Sequence, residues 1–137
     1  MPILEQVLEK YPQDVKLVFK NFPLRNHEFA QPAAIAAHAA GKQDRFWEFH
    51  DLLFKNYNRL NAQQVQEIAM QLNLDLVQFE KDQKDPQIRA LIKRDLSDAA
   101  KAGVRATPTV FINGRLLRNR KLPGFQSMIE KELKKIN

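Results

Sequence analysis

Residues 27–103 are patterned for helix almost throughout, and the two β-forming stretches of the chain lie on either side of them. Any sheet that joins the two stretches must therefore pair segments far apart in sequence. The first stretch is Val15-Lys16-Leu17-Val18-Phe19-Lys20-Asn21-Phe22. It is rich in β-branched and aromatic residues, reads as a strand, and ends at Pro23. The second begins as a strand at 109–112. Asn113-Gly114 follows, the strongest short hairpin signal in the chain, which favours a type I′ turn. Arg115-Leu116-Leu117 starts the returning strand.

The helices follow from apolar periodicity and end signals. Ile3, Leu4, Val7, Leu8 and Tyr11 keep the i, i+3/i+4 spacing of an amphipathic helix, broken at Tyr11-Pro12-Gln13-Asp14. A helix is expected over 27–40, with Pro32 opening or kinking it and Gly41 as its C-cap. Asp44 is expected to cap the next, over 45–55. Asn61 followed by Gln64 resembles a capping box ahead of Val65, Ile68, Ala69 and Leu72. A short helical turn is expected near 76–81. Asp85-Pro86 reads as an N-cap with proline at N1, opening a helix that buries Ile88, Leu91, Ile92, Leu96 and Ala99 before Gly103. A last helix follows Leu122-Pro123-Gly124 and carries Phe125, Met128, Ile129, Leu133 and Ile136. The order is α-β-(helices)-β-β-α in one domain, without internal repeats.

Composition removes several functions. The 137 residues include no cysteine. A disulfide framework, a Cys-type zinc site and a cysteine nucleophile are all excluded. The net charge of +6 is compatible with nucleic acid or anionic membranes, but the basic residues are spread along the chain. Neither aromatic interleaving nor a groove-entering element accompanies them, so no nucleic-acid partner is expected. No apolar stretch approaches a membrane span. The first residues, Met1-Pro2-Ile3-Leu4-Glu5, lack signal-peptide features, and a cytoplasmic location is expected for the sequence as given.

Three segments together carry a family resemblance: 15–24 (Val-Lys-Leu-Val-Phe-Lys-Asn-Phe-Pro-Leu), the aromatic stretch 46–54, and 103–114 (Gly-Val-Arg-Ala-Thr-Pro-Thr-Val-Phe-Ile-Asn-Gly). They resemble the bacterial DsbA-like thiol–disulfide oxidoreductases, over essentially the whole chain. The resemblance implies a thioredoxin-like α/β fold with an inserted helical subdomain. Residues 1–26 and 104–137 would be the thioredoxin part and 27–103 the insertion. In that family a strand and a Cys-X-X-Cys motif precede the first helix, whose N-terminus stabilises a thiolate. Here the chain begins at what resembles the middle of that helix. The first central strand and the CxxC motif are expected to be missing by truncation, and no residue inherits the catalytic role.

Thr107 and Pro108 do carry over. In the family this proline is cis, and the backbone beside it faces the disulfide and pairs with substrate peptide. The resemblance also implies a parent acting outside the cytoplasm on protein substrates. The alternative is a non-catalytic thioredoxin-like module that binds peptides. A weaker one is a relative of the kappa-like glutathione transferases and isomerases. No cofactor is implied.

Other candidates read as structural. His27, His38 and His50 lie on different expected helices without metal-ligand or paired-carboxylate spacing, so no metal is expected. Phe46, Trp47, Phe49 and Phe54 cover most of a helix circumference, which favours core over a ligand groove. Arg115, Arg118, Arg120 and Lys121 form one basic cluster, and Lys131, Lys134 and Lys135 another; a solvated surface is the default, with an acidic partner the lesser reading. The missing strand would leave the edges of 15–22 and 109–112 unpaired. Direct antiparallel pairing of the two, a second copy covering them, or partial folding would answer this. A homodimer or swapped assembly is expected.

Overall fold

The computed structural model describes residues 2–24 and 27–136. Seven α-helices are found there: α1 (Pro2–Lys10), α2 (Ala30–Gly41), α3 (Phe46–Lys55), α4 (Ala62–Gln71), α5 (Leu76–Gln83), α6 (Pro86–Lys101) and α7 (Leu122–Ile136). A 3-10 turn at Tyr57–Arg59 follows α3, and a two-stranded sheet, β1 (Phe111–Ile112) and β2 (Arg115–Leu116), precedes α7. The chain divides into two compact units, residues 1–19 with 104–137, and residues 20–103.

The unit of residues 20–103 is built around α2. Its Ala33, Ala36, Ala37, Ala39 and Ala40 are buried together with Ile35. Small side chains on every side let α3, α5 and α6 pack closely against it. Phe49 of α3 and Phe79 of α5 fill the centre, both fully buried, with ring centroids 5.6 Å apart. Ile68, Ile88 and Ile92 complete the cluster.

Helix ends here follow local chemistry. Asn61 caps α4 by accepting the Gln64 N–H at 2.8 Å, and Asp75 caps α5 through the Gln78 N–H at 3.1 Å. Asp85 caps α6 through the Gln87 N–H at 2.9 Å, with Pro86 as the first helical residue. Gly103 follows α6 at φ 76°, the left-handed position that ends many helices. Pro32 sits in the first turn of α2, where no backbone donor is lost.

Three expectations are corrected. Helix α2 begins at Ala30; His27 and Glu28 lie before it, and positions 25 and 26 fall outside the described residues. Gly41 is the last residue of α2, and Lys42 the C-cap. Asp44 does not cap α3. It takes φ 61° in the turn before the helix, and Arg45 occupies the N-cap without a side-chain capping bond. The turn between the helices is tight: the Arg45 N–H bonds the Ala40 carbonyl at 3.0 Å. An αL residue is needed there, and aspartate tolerates that conformation.

In the other unit α1 packs against α7. Val7, Phe125, Ile129 and Leu117 are buried between them, with Val15, Val110 and Ile112 partly buried against the same cluster. The Tyr11 hydroxyl donates to Glu130 Oε1 at 3.0 Å. The expected strand at 15–22 alternates as a strand does: Val15, Leu17 and Phe19 are partly buried and Lys16, Val18 and Lys20 exposed. It is nevertheless not part of a sheet among the described residues, where the one sheet is β1-β2. Direct antiparallel pairing with residues 109–112 is thereby overturned. A strand is defined by its neighbour, and local pattern cannot supply one.

Candidate functional site

The candidate site is the loop that leads into β1, and the hairpin builds it. Phe111 pairs with Leu116 and Ile112 with Arg115, joined through Asn113 (φ 47°) and Gly114 (φ 79°). Two successive positive φ values are what a type I′ turn requires. The Leu117 N–H extends the pairing to the Val110 carbonyl at 2.9 Å. Beyond Val110 the ladder ends and the chain turns at 106–108, with Arg105, Ala106, Thr107 and Pro108 exposed. The Thr107–Pro108 peptide is cis.

Two side chains hold this loop. Thr109 Oγ1 donates to the Ala106 carbonyl at 2.6 Å, and Arg120 donates from Nη1 to the Pro108 carbonyl. Both neighbours of Thr107 therefore have engaged carbonyls. Thr107 itself makes no backbone hydrogen bond among the described residues. An exposed N–H and C=O on a braced loop are groups able to pair with an extended peptide. Arg120 was legible only as part of a basic cluster. Its contact spans 12 positions and lies beyond the paired residues of the hairpin, so only the folded loop makes it.

The other candidates separate. His27 is exposed. His38 on α2 contacts the Asn21 side chain, with Nε2 2.7 Å from Nδ2 and 3.0 Å from Oδ1. Burial lowers its pKa, and the nearby Asp95 works against that. Asn21 is in turn fixed by Asp95 of α6, whose Oδ2 accepts both the Asn21 backbone N–H, at 2.9 Å, and Nδ2, at 2.8 Å. This buried node escaped the sequence reading. His50 lies buried in α3 within an aromatic row, its ring 5.4 Å from Trp47 and 4.6 Å from Phe54. Among the described residues no cluster of three or more histidines and carboxylates is arranged to hold a metal.

The aromatic group only partly forms core. Phe49 is fully buried and Phe46 packs against the cluster, but Trp47 is 42% exposed and Phe54 57%. Helix α3 has one neighbour-facing stripe, and residues around the rest of its circumference face outward. In the basic clusters, Arg115 Nε pairs with Glu132 at 3.3 Å and Lys135 with the same carboxylate at 3.1 Å. Arg118, Lys121, Lys131 and Lys134 are exposed. No helix among the described residues is long and apolar enough to cross a membrane.

The hairpin and the proline loop that enters it fit a thioredoxin-like protein, and comparison with known proteins gives the class. A family model described as Thioredoxin matches residues 2–131. A thioredoxin-like oxidoreductase of Silicibacter pomeroyi DSS-3 superposes with a TM-score of 0.84 at 25% identity, over 98% of this chain and 77% of that one. The probable disulfide bond formation protein D of Bacillus cereus is 32% identical over 147 aligned positions, 97% of this chain and 66% of that protein. The Na(+)/H(+) antiporter NhaA 3 of Salinispora tropica is 37% identical over 115 residues, 83% of this chain. This chain spans only 18% of that antiporter's length. The chain belongs to the thioredoxin-like family, on its DsbA-like side.

Proposed function

We propose that these 137 residues carry the peptide-facing side of a DsbA-like thiol–disulfide oxidoreductase and exchange no disulfides by themselves. The observation that carries this is the braced loop at Thr107–Pro108, with free backbone groups at Thr107, in a sequence without cysteine. Thiol–disulfide exchange proceeds by thiolate attack through a mixed disulfide, and no other side chain performs it. Residues 1–26 and 104–137 serve as the thioredoxin part and 27–103 as the insertion. The parent activity is dithiol–disulfide exchange in protein substrates outside the cytoplasm, where disulfides persist.

In an insulin-reduction assay with dithiothreitol, the chain should give the rate of the buffer control. Turnover above that rate refutes the proposal. A second reading, a peptide-binding module without chemistry, is favoured by the same loop. The DNA immediately upstream of Met1 separates the two. An in-frame Cys-X-X-Cys segment supports the oxidoreductase part, and a stop codon behind a ribosome-binding site supports the module.

The assembly is a homodimer or swapped pair. Residues 16–18 carry a strand's alternation outside any sheet among the described residues, and a stretch of that kind offers an edge to another chain. Light scattering at micromolar concentration should give about twice the chain mass of 15.9 kDa. A mass equal to one chain removes this part of the proposal.

A further inference from the structure

We infer that the loop at Thr107 selects extended peptides with acidic side chains next to the residue that pairs with Thr107. This rests on the reading of Thr107 as a peptide-pairing position. Arg118 is the first residue beyond the last backbone bond of the hairpin, Leu117 N–H to the Val110 carbonyl at 2.9 Å, and Arg120 follows two residues later. Arg120 donates to the Pro108 carbonyl, which brings a guanidinium against the loop's own backbone. Arg105 lies two residues before Thr107, within about 7 Å by chain length alone. Lys121 follows Arg120. All four cations are exposed, and none of them enters an ion pair among the described residues.

The acidic group that pairs with the hairpin is already committed. Glu132 is shared by Arg115 and Lys135. The loop thus presents a free N–H and C=O inside a rim of positive charge without counter-charge. An extended peptide satisfies the backbone groups, and carboxylates at neighbouring positions satisfy the rim. A nucleic-acid strand would match the charge but has no backbone donor and acceptor spaced to pair with Thr107 as a strand does.

Fluorescence anisotropy with the whole chain tests this. The probes are labelled extended peptides of equal length and apolar content, carrying glutamate, serine or lysine at flanking positions. At low salt the glutamate peptide should bind roughly ten-fold tighter than the serine one, from a few exposed pairs acting together. The difference should shrink as salt is added. The exposed pair R105E and R118E, combined, should abolish or invert that preference while leaving serine-peptide binding in place. Equal affinity for all three peptides overturns the charge selection but leaves the peptide-binding reading intact. Absence of binding by any peptide overturns both. Tighter binding of a single-stranded oligonucleotide than of the glutamate peptide also overturns the inference.

Discussion

Asp95→Ala should cost about 2–5 kcal/mol of folding stability, because it strips the acceptor from two buried donors at once. Asp95 Oδ2 accepts the Asn21 backbone N–H at 2.9 Å and the Asn21 amide at 2.8 Å, and both residues are buried. Each donor left without a partner costs about 1–3 kcal/mol, and hydrogen bonds to a charged group lie toward the upper end. The backbone donor cannot turn away, because the residue is fixed by the chain on both sides. Asn21→Ala should cost less, since the Asp95 carboxylate then keeps the backbone N–H. The two changes combined should cost less than their sum, because they share the amide–carboxylate bond. Urea denaturation of the four chains measures the cycle. Additive losses, or a loss below about 1 kcal/mol for Asp95→Ala, would show that the node does not hold residue 21.

Why local sequence does not show this node, while it shows the caps at Asn61 and Asp85, is a matter of range. Asn61, Asp85-Pro86 and Asn113-Gly114 act on atoms two or three residues away, so their chemistry is complete within a few letters of sequence. The Asn21–Asp95 contact spans 74 positions, and only the fold makes it. A local sign of it did exist. Asp95 continues the stripe Ile88, Ile92 at helical spacing, so a carboxylate stood on the buried face of α6 and required a partner. The family and its fold were legible because several such segments keep fixed order over the whole chain. Residues 15–22 were overread for the opposite reason. Their alternation over 15–20 is real, but a ladder needs a second chain segment, and the one sheet among the described residues is β1-β2. Of the site itself, Thr107 and Pro108 came from the resemblance alone, and the bracing by Arg120 and Thr109 is a contact that only the folded loop makes.

Gly124→Ala sets two effects of opposite sign against each other, and the steric one should win. Gly124 lies in the first turn of α7, where alanine would ordinarily stabilise a helix by up to about 1 kcal/mol. Here a Cβ would run into the Asn119 carbonyl oxygen and come within 2.7 Å of the Asn119 Cβ and Cγ. The nearest obstacle is a backbone atom, and it cannot withdraw freely. Asn119 Oδ1 holds the Lys121 N–H at 3.1 Å, and the Gly124 N–H bonds the Lys121 carbonyl at 3.0 Å. Overpacking of this kind costs about 1–3 kcal/mol and at times more. The net change should therefore be a loss, read as a lower urea midpoint with unchanged slope. Gly114→Ala serves as the comparison. It meets open space, so its cost is the left-handed backbone alone, about 1–2 kcal/mol. The Gly124 variant has a further consequence, because Asn119 adjoins Arg120. Any outward shift of 119–121 draws the guanidinium off the Pro108 carbonyl and loosens the loop around Thr107. Peptide affinity should fall in Gly124→Ala and hold in Gly114→Ala, a split that general destabilisation does not produce. A Gly124→Ala chain as stable as the parent would mean that residues 119 and 124 stand further apart than the fold has them.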